Sequence, residues 1–285
     1  MNINIPSYEI LNLESEDLVV SEVGISRIHS KPLLSALRKL SGHSVMAVDE
    51  VSEIFSEYGL VPSCAFDFLE AAVGMRRDVG EMFFEKTIFV SDWNGKVELE
   101  KLLRSELSTC FEFRGFSDDL LSLVAGKQYF IVLLCESYDY HAIKQIYFEL
   151  AIAAPESAIS VCHRMGDVFC IGQPYMRSIG NPCHFCSVDK ITNSERISPA
   201  RNSWAKLMEI CRVNHIEVPS KSLTLYQEIV TIGAIIRKVK FYTELGNSKL
   251  YQDNILQASY LNLVNGVVTE DVCVHWYMCD CLSVA

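Results

Sequence analysis

Two pairs of cysteines carry the most specific chemistry in this chain. Cys183 and Cys186 sit in "NPCHFC" with C-x-x-C spacing, and Cys279 and Cys281 form a C-x-C in the terminal "CDCLSVA". A C-x-x-C presents two thiolates to one tetrahedral ion, and a second pair completes a four-sulfur site. Such a site holds zinc structurally and leaves no open position for a catalytic water. Pro182 stiffens the approach to the first pair. Two other readings compete: a redox pair, and accidental spacing in a chain with 11 cysteines. A thioredoxin-type pair needs a strand running into a helix N-terminus, and the pattern around Cys183 reads instead as a turn. His184 and His275 are each placed to replace a thiolate, and Cys273 is the rival sulfur.

Other reactive groupings are weaker. Asp118 with Asp119, and Asp139 with His141, have the types for acid–base work, but they stand where helix N-caps are expected. Neither G-x-S-x-G nor H-E-x-x-H occurs. A phosphate-cradling loop needs several side-chain-free amides at a helix N-terminus. The first strand-to-helix turn of the α/β region reads "SDWNGKVE", with the single glycine Gly95, and no Walker-type motif is present. The expectation is a degenerate nucleotide fold that binds no ATP of its own.

The elements that must position these residues fall into two groups. Residues 1–85 read as a winged-helix-like module. "YEILNL" and "DLVVSEVGISRI" alternate like a small antiparallel sheet. Three short helical patterns follow, "PLLSALRKL", "SVMAVDEVSEIFSEYG" and "PSCAFDFLEAAVG", then a returning strand in "EMFFEKTIFVSD". Residues 86–285 alternate strand and helix, the layout of a doubly wound α/β domain. "YFIVLLCE" is apolar throughout, as a strand buried on both faces should be. The tail adds helical patterns in "SWAKLMEICRVNH" and from Ser222 to Thr243, then a closing hairpin or strand that brings in Cys279 and Cys281.

Composition sets outer bounds. The 285 residues are 49% hydrophobic, enough for a full core, and the net charge is -11. That balance disfavours a general phosphate-backbone binder, so no nucleic-acid partner is expected. No apolar run is long enough to span a membrane, and "MNINIPSYEI" lacks the features of a secretory signal. The expected compartment is the cytoplasm, where thiols stay reduced. Cys64, Cys110, Cys135, Cys162, Cys170 and Cys211 then read as small buried hydrophobes.

The segments "IGNPCHFCSVDK", "RNSWAKLMEICRVNHIEVP" and "VHWYMCDCL", with the looser "YEILNL…VVSEVGISRIHSK", resemble the McbB family. That family is the zinc-containing, ThiF-like subunit of microcin-type thiazole/oxazole synthetases. The resemblance implies a non-catalytic scaffold that binds the leader of a ribosomally made precursor peptide. It implies partners: a YcaO-type cyclodehydratase that uses ATP, a dehydrogenase that carries FMN, and a second copy of the chain. The long helix from Ser222 to Thr243 is a candidate for that homodimer contact, or a core helix. By segment order, Glu22 to Ile28 would be the edge strand receiving the leader, through Val23, Ile25 and Arg27. The third helix, Cys64 to Val73, would line the groove with Phe66, Leu69 and Val73. Two other classes remain open: a free-standing ThiF-type adenylating enzyme, and a zinc-stabilised winged-helix regulator of DNA. The first needs the phosphate loop that Gly95 alone does not supply. The second needs a basic recognition helix, and "CAFDFLEAAV" has two acidic residues and no basic one.

Overall fold

The computed structural model describes residues 2–13, 16–77, 83–93, 96–107, 109–197, 203–243 and 255–282. Gly95 lies outside the described residues. The chain divides into two compact units, Met1–Glu81 and Met82–Ala285.

The smaller unit holds two three-stranded antiparallel sheets and three helices. Strands β2 (Tyr8–Asn12), β3 (Asp17–Ser21) and β4 (Gly24–Ile28) form a meander in that order. In the second sheet β1 (Asn2–Asn4) is flanked by β5 (Val45–Ala47) and β6 (Arg76–Arg77). The returning strand of this unit is therefore β6, and the "TIFVSD" strand belongs to the larger sheet. Helices α1 (Lys31–Leu40), α2 (Val48–Glu57) and α3 (Pro62–Val73) follow the sequence pattern. Ser30 caps α1, its side chain accepting from the Leu33 amide. Gly74 ends α3 in the left-handed region at φ 80°, a conformation that costs glycine little. Val19 and Ile28 of the meander pack with Leu37, Phe55, Phe66, Leu69 and Val73 in one core.

The larger unit is built on one mixed sheet. Four strands are parallel: β8 (Phe111–Arg114), β7 (Lys86–Ser91), β9 (Tyr129–Leu134) and β10 (Ala158–Met165), side by side in that order. Beyond β10 the sheet turns antiparallel through β11 (Val168–Ile171), β13 (Gln257–Asn262) and the edge strand β14 (Val268–Val272). The short β12 (Tyr175–Met176) pairs with β10. The doubly wound expectation thus holds for the parallel half, and the antiparallel half makes the sheet mixed.

Strand β9 shows why this sheet is covered on both sides. Ile131 and Leu133 enter one core, while Phe130, Val132 and Leu134 enter the other. The first core is closed by α5 (Leu120–Val124), α6 (Tyr140–Ala153), α7 (His184–Ile197) and α8 (Trp204–Asn214). The second is closed by α4 (Lys96–Glu106) and α9 (Leu225–Thr243). No described helix is long and apolar enough to cross a membrane.

Candidate metal centre and peptide edge

The four predicted cysteines meet at one point. Their sulfur atoms all lie within 4.8 Å of one another, with Cys183, Cys186 and Cys279 buried and Cys281 half-buried. Individual Sγ–Sγ distances are 3.8 Å for Cys183–Cys186, 3.4 Å for Cys183–Cys279 and 3.4 Å for Cys186–Cys281. A tetrahedron with metal–sulfur bonds of about 2.3 Å has edges of about 3.8 Å. These separations fit that cage and are far too long for disulfides, which need about 2.05 Å.

Each pair is held by its own scaffold. Cys186 lies in the first turn of α7, and its amide donates to the Cys183 carbonyl at 3.1 Å. The approach is fixed by Asn181, whose side chain accepts from the Met176 amide and donates to the Pro174 carbonyl. Gln173 donates to the carbonyls of Pro182 and Cys183. The second pair hangs on the tail after β14. The Cys279 amide donates to the Trp276 carbonyl, and Asp280 meets Lys144 of α6 at 2.6 Å. Lys144 also lies over the rings of Tyr140 and Phe185, so the cation that the tail's Asp280 meets is itself seated on α6 and the start of α7.

The C-x-x-C therefore opens a helix, which the sequence pattern did not show. A helix N-terminus is a setting in which a thiol becomes reactive, so local context does not dismiss a redox pair. What distinguishes this site is the second pair, which brings two further sulfurs to 3.4 Å. Four thiols this close cannot all ionise without a cation between them. Cys186 is held well below the usual thiol range, chiefly by its hydrogen bond with Cys183. Cys281 is lowered to about 7, again chiefly by Cys183. Cys183 is pushed far up, first by Cys186 and then by Cys279 and Cys281. Cys279 is eased by Cys183, but Cys186, Cys281 and burial outweigh that and raise it. The set is a soft, dry, four-donor cage suited to a thiophilic cation.

The rival ligands stand elsewhere. His184 is buried, and its Nε2 is 2.9 Å from the Tyr138 hydroxyl. Cys273 is buried and donates to the Gln173 side chain. His275 comes closer: its Nε2 donates to the Gly180 carbonyl, and Nδ1 is 3.9 Å from Cys281 and 4.0 Å from Cys186. It borders the cage without joining it. Asp119 and Asp139 are N-caps, as expected, of α5 and α6. Asp118 accepts from the Gly115 amide. Of the other six cysteines, Cys135, Cys162, Cys170 and Cys211 are buried, whereas Cys64 and Cys110 are exposed.

The predicted peptide residues are divided by the fold. Strand β4 pairs only with β3 among the described strands, so its other side is an open edge. Val23 and Ile25 are 59% and 70% exposed, and Arg27 is exposed while pairing with Glu16 at 2.5 Å. Ile25 and Arg27 point to the outer face of β4, while Val23 stands in the β3–β4 turn beside Gly74 at the end of α3. Phe66, Leu69 and Val73 do not join them: they are buried in the core beneath the meander. The reason is helical spacing, since Ala65, Phe66, Leu69, Ala72 and Val73 form the inward stripe of α3. The large apolar side chain that α3 leaves exposed is Phe68, at 40%. It is an apolar residue off the inward stripe, a signal the sequence already carried.

Comparison with known proteins agrees with this architecture. The family model described as Microcin B17-processing protein McbB matches residues 3–283. A relative, the Microcin B17-processing protein McbB of Escherichia coli, is 22% identical over 288 residues, covering 99% of this chain and 96% of its own. Among solved structures, the fold is similar to a chain of the E. coli microcin synthetase McbBCD complex with pro-MccB17 bound. The TM-score there is 0.71, at 20% identity and with 99% of both chains covered. It is also similar to the heterocyclase TruD, with a TM-score of 0.58 and 12% identity over 96% of this chain and 41% of that one.

Proposed function

The chain belongs to the McbB family of microcin B17-processing proteins, and from that premise we propose that it is the scaffold and leader-binding subunit of a microcin-type synthetase. It has no catalytic site of its own in this reading. It presents a ribosomally made precursor to a YcaO-type cyclodehydratase that uses ATP and a dehydrogenase that carries FMN. Those partners convert Cys and Ser of the precursor into thiazoles and oxazoles. A second copy of the chain completes the assembly. The observation that carries this is the match across residues 3–283, joined to a fold shared with a chain of a precursor-bound synthetase.

The four-cysteine cage fits zinc, held by Cys183, Cys186, Cys279 and Cys281. With four sulfurs there is no place for a water on the metal. Bound zinc would neutralise the cage and fix the tail on α6 and α7, a structural part and not a catalytic one.

The leader enters as an added strand along the open side of β4. Backbone hydrogen bonds supply affinity, and successive side chains alternate between the outer face, where Ile25 is exposed, and the α3 side, where Phe68 is exposed. The test is Ile25→Pro, which disturbs the edge and removes one backbone donor. The variant is expected to keep its metal and its melting behaviour. Anisotropy with labelled leader should show loss of binding, and the cyclodehydratase should then fail on full-length precursor. A folded Ile25→Pro protein that binds leader as tightly as the parent would place recognition elsewhere on the chain.

A further inference from the structure

Charge is unevenly divided between the two units. Within Met1–Glu81, thirteen carboxylate residues stand against six lysines and arginines, so the smaller unit carries most of the net -11. Within that unit the distribution is uneven again. Helices α2 and α3 carry Asp49, Glu50, Glu53, Glu57, Asp67 and Glu70 and no basic residue. The basic residues sit on α1, β4 and β6. Lys39 pairs with Glu57, and Arg27 with Glu16. Asp67 and Glu70 are exposed on α3 and have no cationic partner among the described residues; neither does Glu22, at the β3–β4 turn.

The same helix packs against β3 and β4, and its end is locked to their turn. The Ser21 hydroxyl donates to the Ala72 carbonyl at 3.2 Å, and a Cβ placed on Gly74 would lie 2.8 Å from Val23. The open β4 edge, the exposed Val23, Ile25 and Phe68, and the unpaired carboxylates therefore belong to one small body. An extended peptide on that edge shows side chains alternately to the two sides. An apolar side chain suits Ile25 on the outer side, and the other side faces α3, which carries Phe68 with Asp67 and Glu70. An anionic peptide would meet unscreened like charge, whereas a cationic one is steered in and held.

Resting on the reading of β4 as the receiving edge, we infer that the segment it takes is a cationic strand, in which lysine or arginine alternates with apolar residues. The smaller unit selects its peptide by charge as well as by backbone pairing.

The probe is a random dodecapeptide display library, panned on the immobilised full-length protein. Enriched peptides are expected to carry net positive charge. Their affinity should fall about tenfold or more between low and physiological salt. It should fall by a similar factor for the Asp67→Lys/Glu70→Lys double variant, and should be lost with Ile25→Pro. Both positions of the double variant are exposed, so its melt should match the parent's. Peptides that are lost with Ile25→Pro, yet are neutral or acidic and indifferent to the charge reversal, would overturn the cationic class and leave the edge reading standing. A library that yields no peptide lost with Ile25→Pro would overturn the edge reading itself.

Discussion

Cys183 touches all the chemistry of its cage, since its sulfur lies 3.4–3.8 Å from those of Cys186 and Cys279. Replacing it by serine removes a soft anionic ligand and leaves a hard neutral one. Cys183→Ser, or Cys281→Ser on the tail, should lower metal content from about one zinc per chain and reduce both melting temperature and solubility. Metal analysis of protein prepared without chelator checks this, and parent protein lacking zinc would end the structural-zinc reading. His163 supplies a different test. It is 2% exposed, stacks on Tyr138 at 4.5 Å, and burial lowers its pKa from 6.5 to about 4. Between those values only the unfolded chain binds the proton. Its contribution to stability is therefore complete above about pH 6.5 and is lost as pH falls toward 4. Urea unfolding should show a loss of about 2 kcal/mol between pH 7 and pH 5 from this residue. His163→Leu should flatten that difference, and an unchanged slope would mean the imidazole is protonated in the fold.

At the scale of elements, the end of α3 sets the geometry of the open β4 edge. Gly74 stands at φ 80° against Val23. Gly74→Ala adds a methyl group 2.8 Å from the Val23 side chain and forces a left-handed alanine. The expected cost is about 1–2 kcal/mol, read as a lower melting temperature with the metal retained. Leader affinity should fall with it, because Val23 must move. Much of this layer was legible in the sequence. Period-two alternation gave the β2–β4 meander, and apolar stripes gave the three helices that follow. The continuous run in β9 announced a strand buried on both faces. Strand β13 was not legible, because the place of Gln257–Asn262 in the sheet is set by pairing with β11, far earlier in the chain, as well as with its hairpin partner β14. The helix beginning at His184 was missed for a similar reason. Its polar stretch offers little periodicity, and its first turn is held by Gln173 and Tyr147, which lie outside it. The groove residues failed on phase: Phe66 and Leu69 looked available on a helix drawn alone, yet the meander covers that face.

For the whole molecule, the α/β unit has a four-stranded parallel core whose first strand-to-helix turn carries a single glycine in sequence. Calorimetric titration with Mg-ATP should give no binding in the micromolar range, and a clear isotherm would revive the adenylating enzyme. The four-cysteine cage has a consequence that reaches beyond its own residues. It joins positions 96 residues apart, Cys183 to Cys279, and 95 apart, Cys186 to Cys281. In polymer terms this closes a ring containing α8, α9, β13 and β14. Cross-linking a loop of that length removes about 4–5 kcal/mol of configurational freedom from the unfolded chain. Strand β14 is the outermost strand of its sheet, with Val272 and, just beyond it, Val274 exposed. Opened by chelation, the ring would let this hairpin fray first, and amide hydrogen exchange should quicken there before it does in β9. The frayed edge is also where chains would begin to stick to one another, so metal loss should register as aggregation well before the parallel core melts.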